Sequence, residues 1–150
     1  LQAQGLDVLA QGVDGTPHQL VKSFLDKPRS VLLGTASFWE GVDLAGESLK
    51  VLLLARLPFT VPPDPVFSAR SELYEDSFNQ YAVPQAVLRL RQGFGRLIRT
   101  RADRGVVVIL DRRIVSRGYG AAFMRSLPKV SFKSCDLDEL PDEIRNWIGA

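Results

Sequence analysis

The stretch QGFGRLIRTR, residues 92–101, combines residue types that favour a chemical role over a purely structural one. Two glycines weaken an otherwise helical pattern, and three arginines follow within six residues. An arginine presents a planar fork of N–H donors that grips phosphate oxygens two at a time, whereas lysine acts as a point charge. The predicted chemistry of this stretch is therefore recognition of a phosphate group.

The charge distribution supports that interpretation. The chain has 150 residues and a net charge of +2, but residues 89–125 contain ten arginines, no lysine and two acids. The flanking segments 1–88 and 126–150 are both net acidic. A block of arginine with few acids to pair with indicates a phosphate-bearing partner. A solvated basic face is the alternative that charge alone leaves open.

Helical spacing divides residues 85–103 into two sides. The predicted apolar side contains Val87, Leu90, Phe94, Leu97 and Ile98, and the predicted polar side contains Arg89, Gln92, Arg96, Arg99 and Asp103. An ordinary solvent face mixes acids with bases, but no acid occurs between residues 84 and 102. Each glycine also costs a helix about 1 kcal/mol relative to alanine. We interpret the arginine stripe and the two glycines as features that lower the stability of the helix but allow a ligand or another backbone to approach it closely.

The elements that must position this helix alternate between strand and helix patterns. Four apolar runs predict strands (7–11, 30–35, 50–59 and 105–111), and five patterns predict helices (17–26, 66–80, 84–100, 118–127 and 138–149). Within 66–80, the expected inner face is formed by Phe67, Leu73, Tyr74 and Phe78. Apolar rather than alternating strands are typical of parallel sheets, so the fold class is α/β with a mostly parallel sheet and helices on both faces.

Three segments together carry a resemblance to a known family. QGFGRLIR fits the pattern Q-x-x-G-R-x-x-R and resembles motif VI of superfamily 2 helicases, while GTASFWEGVD (34–43) resembles motif V. With the loop ARLPFTVPPDP between them, residues 5–128 resemble DinG/XPD-type DNA helicases, nearest to the bacterial DinG-like members. The resemblance implies that residues 1–128 form the second, C-terminal RecA-like domain (a P-loop NTPase-type fold), lacking its first strand. Residues 129–150 would form an extension with a short helix.

The resemblance also implies roles for the residues of motif VI. Arg96 and Arg99 would face the γ-phosphate of ATP, with Arg99 favoured as the arginine finger, although the two could be exchanged. Gln92 would lie at the same cleft. An arginine finger can accelerate phosphoryl transfer by about 10³–10⁵. An exposed polar stripe is the structural alternative for all three.

In motif V, the nucleotide-facing residues would be Glu40, Gly41 and Asp43, although a turn cap is an open alternative for Asp43. Thr35 and Ser37 suit a nucleic-acid phosphate. Phe38 and Trp39 could stack on bases of single-stranded DNA. Since adjacent residues in a loop often point in opposite directions, one of the two aromatic residues is expected in the core.

Other charged residues have less specific expectations. Arg112 and Arg113, which follow Asp111 at a strand end, are candidates for pairing with phosphate or with a carboxylate, for which Asp43 and Glu40 of motif V are candidate partners. For Arg56 and Arg70, salt bridges with Glu72 or Glu75 are the safer expectation.

The predicted function is the C-terminal half of an ATP-dependent DNA helicase, with 5′→3′ translocation and a role in DNA repair or replication implied by the family. ATP and Mg²⁺ would be bound mainly by a first RecA-like domain, because the chain contains no G-x-x-x-x-G-K-[ST] pattern, and the chain alone is not expected to be active. Expected partners are that domain and single-stranded DNA, with no membrane. One cysteine cannot hold an iron–sulfur cluster and favours a cytoplasmic location. The alternatives are a non-motor nucleic-acid-binding module and part of an exonuclease–helicase fusion.

Overall fold

The computed structural model describes residues 5–35, 38, 49–60, 64–98 and 103–149. The chain divides into two compact units, Leu1–Leu49 and Lys50–Ala150. Among the described residues, each unit contains one pair of parallel strands. Parallel strands connected through helices are the arrangement that the apolar runs predicted.

The first unit is built from strand β1 (Asp7–Ala10), helix α1 (Pro17–Asp26) and strand β2 (Ser30–Leu33). Helix α1 has the bounds that its sequence predicts because its start is specified locally. The Thr16 side chain accepts a hydrogen bond from the backbone N–H of Gln19, and the Gln19 side chain accepts one from the backbone N–H of Thr16. This reciprocal capping box satisfies two donors that a helix start otherwise leaves unpaired.

The core of the first unit is a small apolar cluster between the strands and α1. Its buried members are Leu9, Leu20 and Phe38, with Val21, Phe24 and Leu32 packed around them. Strands β1 and β2 pair in parallel with Leu9 opposite Leu32. Helix α1 therefore covers one side of a short parallel ladder.

The second unit begins with strand β3 (Val51–Leu54), which pairs in parallel with strand β4 (Val106–Ile109). Between them lie helix α2 (Pro65–Ser71), a π-helical turn (Phe78–Ala82) and helix α3 (Val83–Leu97). After β4 come helices α4 (Arg113–Ser116), α5 (Gly120–Ser126) and α6 (Leu140–Gly149). The sequence did not predict the single turn of α4.

Helix α3 provides most of the core of the second unit. Its buried residues are Val83, Ala86, Leu90, Gly93, Phe94 and Leu97, and Phe123 of α5 is also fully buried. The predicted apolar side is therefore confirmed at Leu90, Phe94 and Leu97, while Val87 and Ile98 are half-buried.

The predicted end of α3 was wrong. We expected a helix to about residue 100, but it ends at Leu97, and Ile98 has extended backbone. The reason is tertiary, because a Cβ at Gly105 would lie only 2.6 Å from Cδ1 of Leu97. The chain must turn after Leu97 to bring Gly105 against that side chain at the start of β4. Asp103 therefore does not extend the helical polar stripe.

The segment before α3 also differs from expectation. Helix α2 ends at Ser71, and neither it nor the π-helical turn has a buried residue. Leu73 is 82% exposed, while Tyr74 and Phe78 are 42% and 45% exposed. These aromatic residues pack on one another instead: Tyr74 stacks on Tyr81, and Phe78 stacks on Phe59. The predicted inner face is thus a half-exposed aromatic layer.

Candidate phosphate-binding site

The arginine side of α3 begins with an arginine whose side chain is held by a hydrogen bond. Arg89 is half-buried, and its Nη1 donates a hydrogen bond of 2.5 Å to Oγ1 of Thr60. Gln92 is exposed and Arg96 is half-buried. Arg89, Gln92 and Arg96 lie three or four positions apart, so the structure keeps them on neighbouring turns of one helix face. Arg99, the favoured finger, lies outside the described residues.

The two glycines of this helix have different environments. Gly93 is buried on the core side, whereas Gly95 is exposed. A Cβ added at Gly95 would meet nothing within 4 Å. A ligand or another backbone therefore has room to approach the helix at Gly95, which lies between Gln92 and Arg96 in the sequence.

In the first unit, the predicted DNA-contacting residues divide between surface and core. Thr35 is exposed just after β2, and its backbone N–H and hydroxyl both lie near Oε1 of Gln11, at 2.9 and 3.1 Å. Gln11 follows β1, so one amide side chain connects the ends of both strands. Gly34 allows this turn to be compact, since a Cβ there would lie 3.0 Å from Phe38.

The structure moves Phe38 from the predicted DNA-binding set to the core. It is 8% exposed and packs with Leu9 and Leu20. A side chain with so little free surface cannot stack on a base, and the expectation that one of the two adjacent aromatic residues belongs to the core is met by Phe38. The other predicted residues of motif V, Ser37, Trp39, Glu40, Gly41 and Asp43, lie outside the described residues.

A carboxylate clamp connects the ends of β3 and β4. Oδ2 of Asp111 accepts a hydrogen bond of 2.9 Å from the backbone N–H of Leu57, which follows β3. The Arg113 side chain donates to both oxygens, from Nε at 2.9 and 3.0 Å and from Nη2 at 2.6 Å, and the backbone N–H of Arg113 adds a bond of 3.1 Å. The carboxylate of Asp111 is only 8% exposed.

Electrostatics follow from this geometry. The side-chain hydrogen bonds from Arg113 hold the pKa of Asp111 well below its usual range, outweighing burial, and the amides of Leu57 and Arg113 act in the same direction. The same contacts raise the pKa of Arg113. The Arg113 guanidinium also lies 5.5 Å from the ring centroid of Phe59. The carboxylate pairing expected for Arg113 is present with Asp111, and the side chain also interacts with Phe59 and Tyr119. The motif V carboxylates lie outside the described residues, so pairing with them stays a prediction.

The salt bridges expected for Arg56 and Arg70 are absent from the described part of the chain. Within the described part of the chain, neither Arg56 nor Arg70 forms a salt bridge with Glu72 or Glu75. The described residues also contain no group of three or more His, Cys, Asp or Glu that could hold a metal ion. No helix among them is long and apolar enough to cross a bilayer.

Comparison with known proteins decides the family. The family model described as "Helicase C-terminal domain" matches residues 1–130. The chain belongs to this family. The resemblance predicted from motifs V and VI is confirmed, and the parallel strand pairs with flanking helices are consistent with a helicase C-terminal domain.

Curated relatives agree with the family model. The chain is 42% identical over 145 residues to "3'-5' exonuclease DinG" of Bacillus subtilis, covering 93% of this chain and 16% of that protein. It is 43% identical over 145 residues to "ATP-dependent DNA helicase YoaA" of Haemophilus influenzae (94% and 22%), and 46% identical over 127 residues to the Escherichia coli protein of the same name (82% and 20%). The chain thus spans about a fifth of the length of the curated relatives it matches.

Proposed function

We propose that this chain is the C-terminal RecA-like half of an ATP-dependent DNA helicase motor. One observation carries the proposal: a member of the helicase C-terminal family has an acid-free helix face with Gln92, Gly95 and Arg96 in a row. Relatives named ATP-dependent DNA helicases support the assignment of the reaction. The full RecA-like sheet, the 5′→3′ polarity and the cytoplasmic location are part of this proposal.

The proposed catalytic contribution of this chain is electrostatic. Arg99 stabilises the charge that develops on the γ-phosphate, and Arg96 contacts phosphate or the opposing domain. Gln92 contacts the nucleotide or that same domain, and Glu40, Gly41 and Asp43 approach the nucleotide from motif V. Phosphoryl transfer depends mainly on positioning and charge stabilisation, so this chain needs no nucleophile of its own.

Two further contributions complete the proposed motor, one from elsewhere in the longer protein and one from motif V of this chain. A preceding RecA-like domain supplies the P-loop and the carboxylate that holds Mg²⁺. The ion neutralises phosphate charge when it is bound. Thr35, Ser37 and Trp39 contact single-stranded DNA from motif V, and closure of the two domains around ATP changes this contact during each cycle.

The test is ATP turnover by the full-length protein, with and without single-stranded DNA. Arg99→Ala and Arg96→Ala should each lower DNA-stimulated turnover, with the larger loss, about 10³-fold or more, at the finger. Arg91→Ala is a matched control, because Arg91 is an exposed arginine of the same helix. Turnover of the Arg99 variant within twofold of the unmodified protein would reject the finger assignment. Strand-separation assays on substrates with opposite overhangs test the polarity.

A second candidate function comes from one relative. The Bacillus subtilis protein is named an exonuclease. We therefore also propose testing the full-length protein for release of nucleotides from a labelled 3′ end. Nuclease activity that survives Arg99→Ala would indicate an exonuclease domain elsewhere in the protein. A non-motor DNA-binding module, in contrast, would bind DNA but show no DNA-stimulated ATP turnover.

A further inference from the structure

An open groove lies at the carboxyl ends of β3 and β4. It has a volume of about 290 Å³ and is lined by Ala55 and Arg56 after β3 and by residues 110–113 after β4. The two strands run parallel with Leu54 opposite Ile109, so these loops leave the sheet at the same edge. Ligands of open parallel sheets bind at this edge.

Half of the charge in the groove is already neutralised. Asp111 and Arg113 form a bidentate pair, and the same carboxylate accepts the Leu57 amide. Phe59, which lies beneath the Arg113 guanidinium, also contacts Phe78, Tyr119 and Phe123. The clamp is therefore a rigid and nearly neutral part of the groove wall, and an anion placed there would not meet an unpaired carboxylate.

Two arginines of the groove have no acidic partner in the described ranges. Arg56 and Arg112 are exposed, and across those ranges neither forms a salt bridge or a side-chain hydrogen bond. Arg56 follows β3 and Arg112 follows β4, so their approach results from strand pairing and not from sequence proximity. Two guanidinium groups that line one small groove, whose described lining contains no acid other than the paired Asp111, form an arrangement that an oxyanion would stabilise.

We propose that this groove is a phosphate-binding site in which Arg56 and Arg112 together hold one phosphate group. The proposal rests on the helicase function proposed above, to which it adds a contact outside motifs V and VI. The phosphate belongs either to the DNA backbone or to a nucleotide, since both present the same oxygens to the two guanidinium groups.

The experiment uses the full-length protein with Arg56→Gln, Arg112→Gln and the double variant. Arg125→Gln is the matched control, because Arg125 is an exposed arginine of α5 that does not line the groove. The probes are a labelled oligothymidine and a fluorescent ATP analogue, each titrated at several salt concentrations. Thermal unfolding of every variant checks that the fold is retained.

A backbone phosphate predicts that each single variant weakens oligothymidine binding about 3- to 10-fold relative to Arg125→Gln, with unchanged ATP-analogue affinity. The slope of log K against log salt should then become shallower by about 0.7 for each phosphate that no longer meets an arginine. If the phosphate belongs to a nucleotide, each single variant should instead weaken binding of the ATP analogue and leave the oligothymidine affinity unchanged. If both groove variants match Arg125→Gln for both probes while the unmodified protein binds them, the groove proposal is overturned. If the unmodified protein binds neither probe, the helicase function itself fails.

Discussion

At the scale of single residues, Asp111 has the most informative environment in the described structure. It lies 54 positions after Leu57, yet its carboxylate accepts hydrogen bonds from the backbone N–H of Leu57 and from the side chain of Arg113. The sequence showed an acid followed by two arginines after an apolar strand, which suggested an anion site. It did not show that one arginine serves the acid, because that depends on the direction in which the chain turns after β4. An acid at the end of a predicted apolar strand is the signal that could have indicated the clamp.

Replacing Asp111 should loosen the clamp without changing its shape. We expect Asp111→Asn to cost about 1–3 kcal/mol of unfolding free energy, because the substitution removes a part-buried ionic acceptor. Hydrogen exchange at the Leu57 amide should become faster, while exchange in α1 should not change. Asp26→Asn, at an exposed carboxylate that ends α1, is the control. Equal exchange at Leu57 in both variants would contradict the clamp.

The same residue predicts a pH dependence. The pKa of Asp111 is lower in the folded protein than in the unfolded chain, so folding favours its charged form. Its contribution to stability is present above the unfolded pKa of about 3.9 and is lost as the pH falls through the folded value. The stability difference between the unmodified protein and Asp111→Asn should therefore be constant near neutral pH and decrease below about pH 4. Denaturant titrations across this range measure it, and a difference that grows on acidification would refute the assignment.

At the scale of elements, local signals predicted where helices begin better than where they end. Thr16 and Pro17 specify the start of α1, and the capping box forms as the sequence suggests. The end of α3 depends instead on Gly105, eight positions beyond Leu97, and no local pattern contains that contact. The apolar residues before α3 predicted a buried face, but their spacing could not show that the aromatic rings would pack mainly on one another. The sequence predicted that Gln92 and Arg96 share one face of α3, because a shared face depends only on helical periodicity.

Two glycines provide a matched test of this element-scale interpretation. Gly95→Ala should raise the stability of the protein by up to about 1 kcal/mol, because nothing lies within 4 Å of the added Cβ and alanine is the better helix former. If a nucleotide or partner domain approaches here, the same change should lower DNA-stimulated ATP turnover. Thermal unfolding and turnover of the full-length protein measure the two effects. A stabilised variant with full turnover would show that nothing approaches Gly95.

Gly120→Ala should behave in the opposite way. Its Cβ would lie 1.8 Å from the carbonyl oxygen of Ile114, so the backbone of α4 or α5 must shift. We expect a lower melting temperature, and the change should be larger in magnitude than the gain at Gly95. Unchanged stability would show that the connection between α4 and α5 is looser than the structure indicates.

At the scale of the whole molecule, the predicted motifs are divided between the two compact units. The described residues of motif V, Gly34, Thr35 and Phe38, belong to the first unit, and those of motif VI belong to the second. The sequence predicted both motifs and the family, because their residue patterns are specific. It could not predict the division, since compact units depend on contacts among distant residues.

This division suggests two separate ligand footprints in the full-length protein. We expect single-stranded DNA to slow hydrogen exchange around residues 34–38, and a non-hydrolysable ATP analogue to slow it around residues 92–98. Raising the salt concentration should weaken the DNA footprint more than the nucleotide footprint, because DNA binding releases many counterions. A nucleotide footprint confined to the first unit would contradict the assignment of motif VI.

The pairing of β3 with β4 also determines an order of events during synthesis. Val51 pairs with Val106, which follows it by 55 residues, whereas Asp7 pairs with Ser30 after only 23. The first ladder can close soon after α1 leaves the ribosome, but β3 must wait until α2, α3 and the arginine-rich segment have been made. During that interval its run of leucines lacks β4, the strand with which it pairs in the described part of the structure, and unpaired apolar strands are prone to aggregation. We therefore expect the second unit, and not the first, to be the part of the chain that is most exposed to aggregation during synthesis.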